Sequence, residues 1–278
     1  MSIVAETGPF DAVPAELRAR DQWVLHHKKV LYNPHALSRR ARTNVPATWG
    51  SYDLAAAKLA AVNDAAGRVR GLRPMEGIGF VFCADDPYVG IDFDGCIYDD
   101  EIHPAALKII AALGSYTEVS PSGTGIHIIA RARLTGAGIK CRAVEWADYV
   151  PGREGAIEIY DRVRYFTITG DGSGAITERQ SVVNDLVLRY PSAGATVTRG
   201  SNGQVFVRKP PFEQRDDVPT GERHEYLLSF MGHYACSPSV DRSELEDACW
   251  TEADRIGMMD LSERWVTRNA DYVIRSRS

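Results

Sequence analysis

The chain of 278 residues contains no apolar run near the ~18 residues that a membrane-spanning helix requires. Its opening, MSIVAETGPFDAVP, lacks the basic-then-apolar layout of a secretory signal. Both absences point to a cytoplasmic protein with no membrane partner. Cysteine is sparse: Cys83, Cys96, Cys141, Cys236 and Cys249 are scattered, odd in number and never spaced CxxC. That pattern fits reduced, buried thiols and not a disulfide framework. Cys96 and His103 have no second pair to complete a tetrahedral set, so no zinc is expected. Also missing are a GxxxxGK[ST] phosphate loop, an internal repeat and any low-complexity tract.

Positive charge is not in excess either. The net charge is -5, which by itself argues against nucleic acid. The layout says more than the mean. Residues 18–42 hold Arg18, Arg20, Lys28, Lys29, Arg39, Arg40 and Arg42 against Asp21 alone. Residues 76–101 hold eight acids and no Lys or Arg, and residues 131–164 are again rich in arginine. Basic flanks around an acidic centre suit a site that holds a divalent metal and handles polyanions. Ordinary solvated faces would give the same charge counts.

What is present is a 44% hydrophobic chain, ample for a core. SYDLAAAKLAAVNDAAG reads as a helix capped by Ser51. HPAALKIIAALG reads as another, with Pro104 in its first turn and Gly114 just past its end. GIGFVFCADD and YVGIDFDG read as a hairpin turning at Asp85–Pro87, and GAIEIYDRVRYFTITG as a second strand pair. Strands in adjacent hairpins with helices between them predict an α+β domain on antiparallel or mixed sheet, flanked by helices. The expected domain covers 1–190. Residues 191–220, rich in Gly, Ser, Pro and charge, read as a linker. Residues 221–278 carry three stretches with helical spacing and predict a small all-helical C-terminal domain.

Four elements carry chemistry. In VGIDFDGC, Asp92 and Asp94 share one strand face while Ile91 and Phe93 take the other. Two carboxylates so placed repel and suit Mg²⁺ or Mn²⁺, though a pair of surface acids at a hairpin edge has the same spacing. Glu158, between Ile157 and Ile159, supplies a third strand acid, or simply an exposed position. SPSGTGIHI offers a tight turn with Ser122 and Gly123 as an anion nest, then His127 on the following strand; a plain Gly-rich turn reads alike. In YDRVRYFTITG, Arg162 and Arg164 fall in phase with Glu158, to pair with it or to neutralise phosphate.

Singly each element is weak; their order within about 75 residues is specific. On IDFDG, SGTGIHI, IEIY and RYFTITG the chain resembles the archaeo-eukaryotic primase superfamily, most closely the primase-polymerases of phages and plasmids. QWVLHHKK, TWGSYDLA and the helical tail from GERHEYLL to RNADYVIRS look similar to that branch as well. The resemblance implies a two-metal nucleotidyl transferase, a DNA primase and polymerase. Asp92, Asp94 and Glu158 would hold Mg²⁺ or Mn²⁺, with Glu158 standing where the superfamily usually has aspartate. It implies that His127 binds the triphosphate of a dNTP or NTP, assisted by Arg164, with Ser122 and Gly123 lining the pocket and Tyr165 at the sugar. Arg40, Arg42, Lys140 and Arg162 would contact single-stranded DNA template or primer. No helicase motif appears, so a helicase would act from a longer chain or in trans. A metal-dependent nuclease or phosphoryl hydrolase would use the same acids. An inactive replication-origin binding module would have no need of three carboxylates near DNA phosphate.

Overall fold

The computed structural model describes residues 12–66, 74–208, 212–215, 217–235, 240–258 and 260–275. They divide into two compact units, Met1–Lys209 and Pro210–Ser278. Cys236 lies outside the described residues; the other four cysteines are free.

Two large sheets dominate the first unit, and α+β is the observed class. The five-stranded sheet runs in the order β13-β4-β1-β2-β3, with β1 Trp23–His27, β2 Val30–Asn33, β3 Ala36–Arg40, β4 Gly77–Phe82 and β13 Arg164–Ile168. The six-stranded sheet runs β11-β12-β5-β9-β8-β14, with β5 Tyr88–Asp94, β8 Tyr116–Val119, β9 Ile126–Arg131, β11 Ile139–Cys141, β12 Ala156–Tyr160 and β14 Gly172–Ser173. Every pairing in these two sheets is antiparallel. A short pair, β6 Ile97–Tyr98 and β7 Glu101–Ile102, precedes α3 Pro104–Leu113. That helix starts and stops where its sequence says. His103 caps it by accepting from the Ala105 amide at 3.2 Å, Pro104 takes the first position, and Gly114 turns left-handed at φ 42°. Four-residue α1, Ala15–Arg18, buries Leu17, and α2, Tyr52–Ala66, starts at Ser51, whose Oγ accepts from the Leu54 amide.

Strand alternation sends the two faces of the six-stranded sheet to different neighbours. Val89, Ile91, Phe93, Ile128, Ile157 and Ile159 form one core with α3 and with α4 Gln180–Arg189. On the other face Tyr88, Tyr116 and Ile129 meet Phe80, Phe82, Phe166 and Ile168 of the five-stranded sheet. Gly90 makes that approach possible, because a Cβ there would lie 2.7 Å from the rings of Phe82 and Phe166.

Three expectations are corrected. First, β4 and β5 are not a hairpin: the chain leaves one sheet and enters the other between Phe82 and Tyr88. The crossing is pinned by buried Asp86, which accepts from the Gln22 side chain and from the amides of Cys83 and Tyr88. Second, β12 and β13 also separate, at Asp161–Val163, where Val163 takes φ 55° and the period-two phase is lost. Third, the segment expected to be a linker carries β15 Thr196–Arg199 and β16 Val205–Arg208, joined by β10 Thr135–Gly136 as the third strand. Val205 and Val207 are buried in the core beneath α4, so the first unit continues past residue 190. Alternating valines outweigh a loop-like composition.

The described residues of the second unit are helical in α5 Arg223–Tyr234, α6 Arg242–Arg255 and α7 Glu263–Arg275. Leu227, Met231, Leu245, Cys249, Ala253, Val266 and Ala270 are its core. Asp241 and Glu244 form a reciprocal capping box at the start of α6. No helix among the described residues is long and apolar enough to cross a membrane.

Candidate active site

The polar face of the six-stranded sheet answers the question set by the DFD strand. In register across five strands stand Lys140, Glu158, Asp92, His127 and Glu118. Cross-strand partners in an antiparallel sheet share a face, so these five side chains form one rank over the sheet. Asp94 lies two residues along β5 on the same face, and the opposite face supplies the anchor: Ile91 and Phe93 are fully buried.

Asp92 and Glu158 are directly opposite, the least favourable arrangement for two anions. Burial pushes the Asp92 carboxyl up to about 7; the charges of Asp94 and Glu158 add to the rise, and His127 and Lys140 oppose it. Asp94 is also raised, by burial and then by Glu158. Glu158 is held to one side, its Oε1 on the Lys140 ammonium and its Oε2 accepting from the Tyr160 hydroxyl at 2.7 Å. The Arg164 guanidinium lies over the Tyr160 ring, 4.5 Å from its centre.

His127 is locked from three sides. Its ring stacks on Phe166 with centroids 4.4 Å apart and planes at 12°. Nδ1 is 3.2 Å from the Thr167 carbonyl and 3.5 Å from Glu118 Oε1, while Nε2 is 3.8 Å from Asp92 Oδ1. Burial alone would lower its pKa, but the hydrogen bond to Glu118 and the charge of Asp92 turn the net shift upward.

The donor chemistry fits a hard divalent cation: three carboxylates on one face, with no sulfur among them. The side chains are not already gathered around one point. Among the described residues no three His, Cys, Asp or Glu side chains form a metal-sized cluster. Mutual repulsion and the pull of Lys140 on Glu158 account for that spread.

The remaining expected residues fall in several places. Gly123 takes φ 71° in the turn after β8, but its amide donates to the Ser120 carbonyl and the Thr124 amide to Ser122 Oγ. Those two donors are spent inside the turn, not open as an anion nest. Ser122 instead belongs to a hydroxyl chain, Ser120–Ser122–Thr124, that ends on Arg153. Arg162 does not share the acid face; beyond the break it pairs with Asp161 and donates to the Leu134 carbonyl. Arg164 does not continue the strand of Glu158, and it reaches the site's rim only through Tyr160. Tyr165 points to the opposite face of β13 from Arg164 and Phe166, packing with Val24, Trp49 and Val81. Lys140, expected on nucleic acid, is engaged with Glu158. Arg40 lies over Tyr32 on edge strand β3, and Arg42 is exposed just beyond it, on the far side of its sheet from β13.

Glu118 and Tyr160 are additions that the sequence reading missed. The signal for Glu118 was available in TEVSPSGTGIHI, because pairing Val119 with Ile126 across the turn sets Glu118 opposite His127. Tyr160 follows Glu158 at the next position on the same face.

No family model matches the chain. Over 161 residues, 54% of the chain, it is 30% identical to a protein from Nitratiruptor phage NrS-1 described as a DNA primase-polymerase. The matched stretch spans 19% of that relative's length.

Proposed function

We propose that the chain is a template-dependent nucleotidyl transferase, a DNA primase-polymerase that makes or extends primers on single-stranded DNA. The observation that carries this reading is the juxtaposition of Glu158, Asp92 and His127 in one rank, with Asp94 beside them. Similarity to the phage DNA primase-polymerase supports it independently. Asp92, Asp94 and Glu158 would hold Mg²⁺ or Mn²⁺. Such ions supply a lowered pKa for an attacking 3′-hydroxyl and neutralise charge on a departing pyrophosphate.

The chain's own groups then position the reactants. His127 directs Nε2 onto the acid face, where it can donate to a phosphate oxygen of a dNTP or NTP. Arg164 stands one ring away with a positive charge. Gly123 and Ser122 lie in the turn that leads into the strand of His127 and would line the triphosphate pocket, whereas Tyr165, on the opposite face of β13 from Arg164, is given no contact with the nucleotide. Arg40 and Arg42, exposed on an edge strand, suit template phosphates. A helicase would be supplied by a longer chain or a separate subunit.

The test uses a single-stranded template with Mg²⁺ or Mn²⁺, a dNTP or rNTP pool, with and without primer. Incorporation by wild-type protein is expected. Strand degradation without incorporation would assign the acids to hydrolysis instead.

A further inference from the structure

Glu118 is a fully buried carboxylate to which the chemistry above gives no task. Burying a carboxylate is costly unless donors surround it, and here they do. The Tyr116 hydroxyl donates at 2.9 Å, and the Thr169 amide lies 3.2 Å from each carboxylate oxygen. Among the described residues its one ion-pair partner is His127. A group needed for packing alone would be cheaper as an apolar side chain.

The arrangement fixes a hydrogen on one ring nitrogen. Both neighbours of His127 Nδ1, the Glu118 carboxylate and the Thr167 carbonyl, are acceptors only, so Nδ1 carries a hydrogen. Phe166 stacked on the ring sets its tilt. The nitrogen left for other work is Nε2, which faces Asp92 and the acid rank. Second partners of this kind orient functional imidazoles by fixing which nitrogen is presented.

We propose that Glu118 is a positioning residue: anchored by Tyr116 and Thr169, it accepts the Nδ1–H of His127 and sets the ring's tilt, so that Nε2, carrying a hydrogen where a phosphate oxygen faces it, donates to the phosphates of a bound nucleotide. This rests on the nucleotide-binding reading of His127. Glu118→Gln is the informative variant. Its amide oxygen can still accept from Tyr116 and Thr169, but its NH₂ meets the Nδ1–H and turns the ring or its tautomer.

The experiment measures dNTP affinity with Mn²⁺ for wild type, Glu118→Gln, His127→Ala and the double variant, together with histidine ring ¹⁵N spectra. Each single change is expected to weaken affinity about tenfold. The double variant should bind no worse than His127→Ala, and Glu118→Gln should shift the His127 ring signals. In primer extension KM for dNTP should rise with little change in kcat. Tyr116→Phe, which keeps the carboxylate but deletes one tether, should cost about threefold, and it decides the matter if Glu118→Gln does not fold. Wild-type affinity in Glu118→Gln, or losses that multiply in the double variant, would overturn the positioning role and leave the nucleotide reading standing. Wild-type affinity in His127→Ala would overturn both.

Discussion

Two carboxylate systems in this protein are solved in opposite ways. In the helical unit, Glu252 accepts from the Arg255 guanidinium, the Tyr226 hydroxyl at 2.6 Å and the Gln214 amide at 3.0 Å. Burial pushes its pKa up, yet those donors win and hold it below the ordinary value. On the six-stranded sheet, Asp92 faces Glu158 with Asp94 nearby, and its pKa goes up to about 7. One carboxylate has all the partners it needs. The other three share His127 and Lys140 and remain short of positive charge. A carboxylate built for stability is surrounded by donors; one left in deficit is suited to taking a cation.

The largest test of that contrast is Asp92→Ala with Asp94→Ala. Incorporation on a primed template should fall at least about a thousandfold while single-stranded DNA binding persists. The melting temperature should not drop, because two repelling charges are removed. Persistent incorporation would remove the acids from the chemistry.

Glu252→Ala should do the reverse. Removing the acceptor shared by Arg255, Tyr226 and Gln214 should lower the stability of the helical unit, measured as a lower midpoint in chemical denaturation. An unchanged midpoint would mean that the network does not hold the helices together.

The two systems should also respond to pH with opposite signs. Glu252, lowered in the folded state, adds stability that is present above its ordinary value of 4.5 and lost as pH falls through its folded value. Asp92, raised in the folded state, carries a penalty that is full above about 7 and relieved as pH falls toward its ordinary 3.8. In metal-free protein, hydrogen exchange in the six-stranded sheet should therefore slow, beyond its intrinsic pH dependence, by the equivalent of about 2 kcal/mol between pH 7.5 and 5. Asp92→Asn should flatten that response; an unchanged slope would contradict it.

A smaller effect is expected at Lys140. The Lys140 ammonium on Glu158 competes with any cation for that carboxylate, so Lys140→Met should tighten Mn²⁺ binding about threefold by titration calorimetry. Weaker binding would instead make Lys140 a support that holds Glu158 in place.

Much of this was legible beforehand, for reasons that particular residues make clear. Alternation alone assigns Asp92 and Asp94 to one face, and Pro104 and Gly114 bound their helix through local backbone chemistry. Periodicity reports a side chain's face and not its strand's partner. So the passage of the chain between sheets at Asp86 and again at Val163 could not be read, and the assumed common face of Glu158, Arg162 and Arg164 failed with it. The β15–β16 hairpin was hidden by Gly and Ser around its two buried valines. Glu118 was legible as the cross-strand partner of His127, but its anchor was not, because the donor Thr169 arrives from 51 residues away.

The most direct measurement is thermal unfolding of the first unit as Mn²⁺ is added. A cation bound only by the folded acid face raises the melting temperature with concentration. The account predicts a rise in wild type that is absent from the Asp92→Ala, Asp94→Ala protein. No rise in wild type, or an equal rise in both, would contradict it.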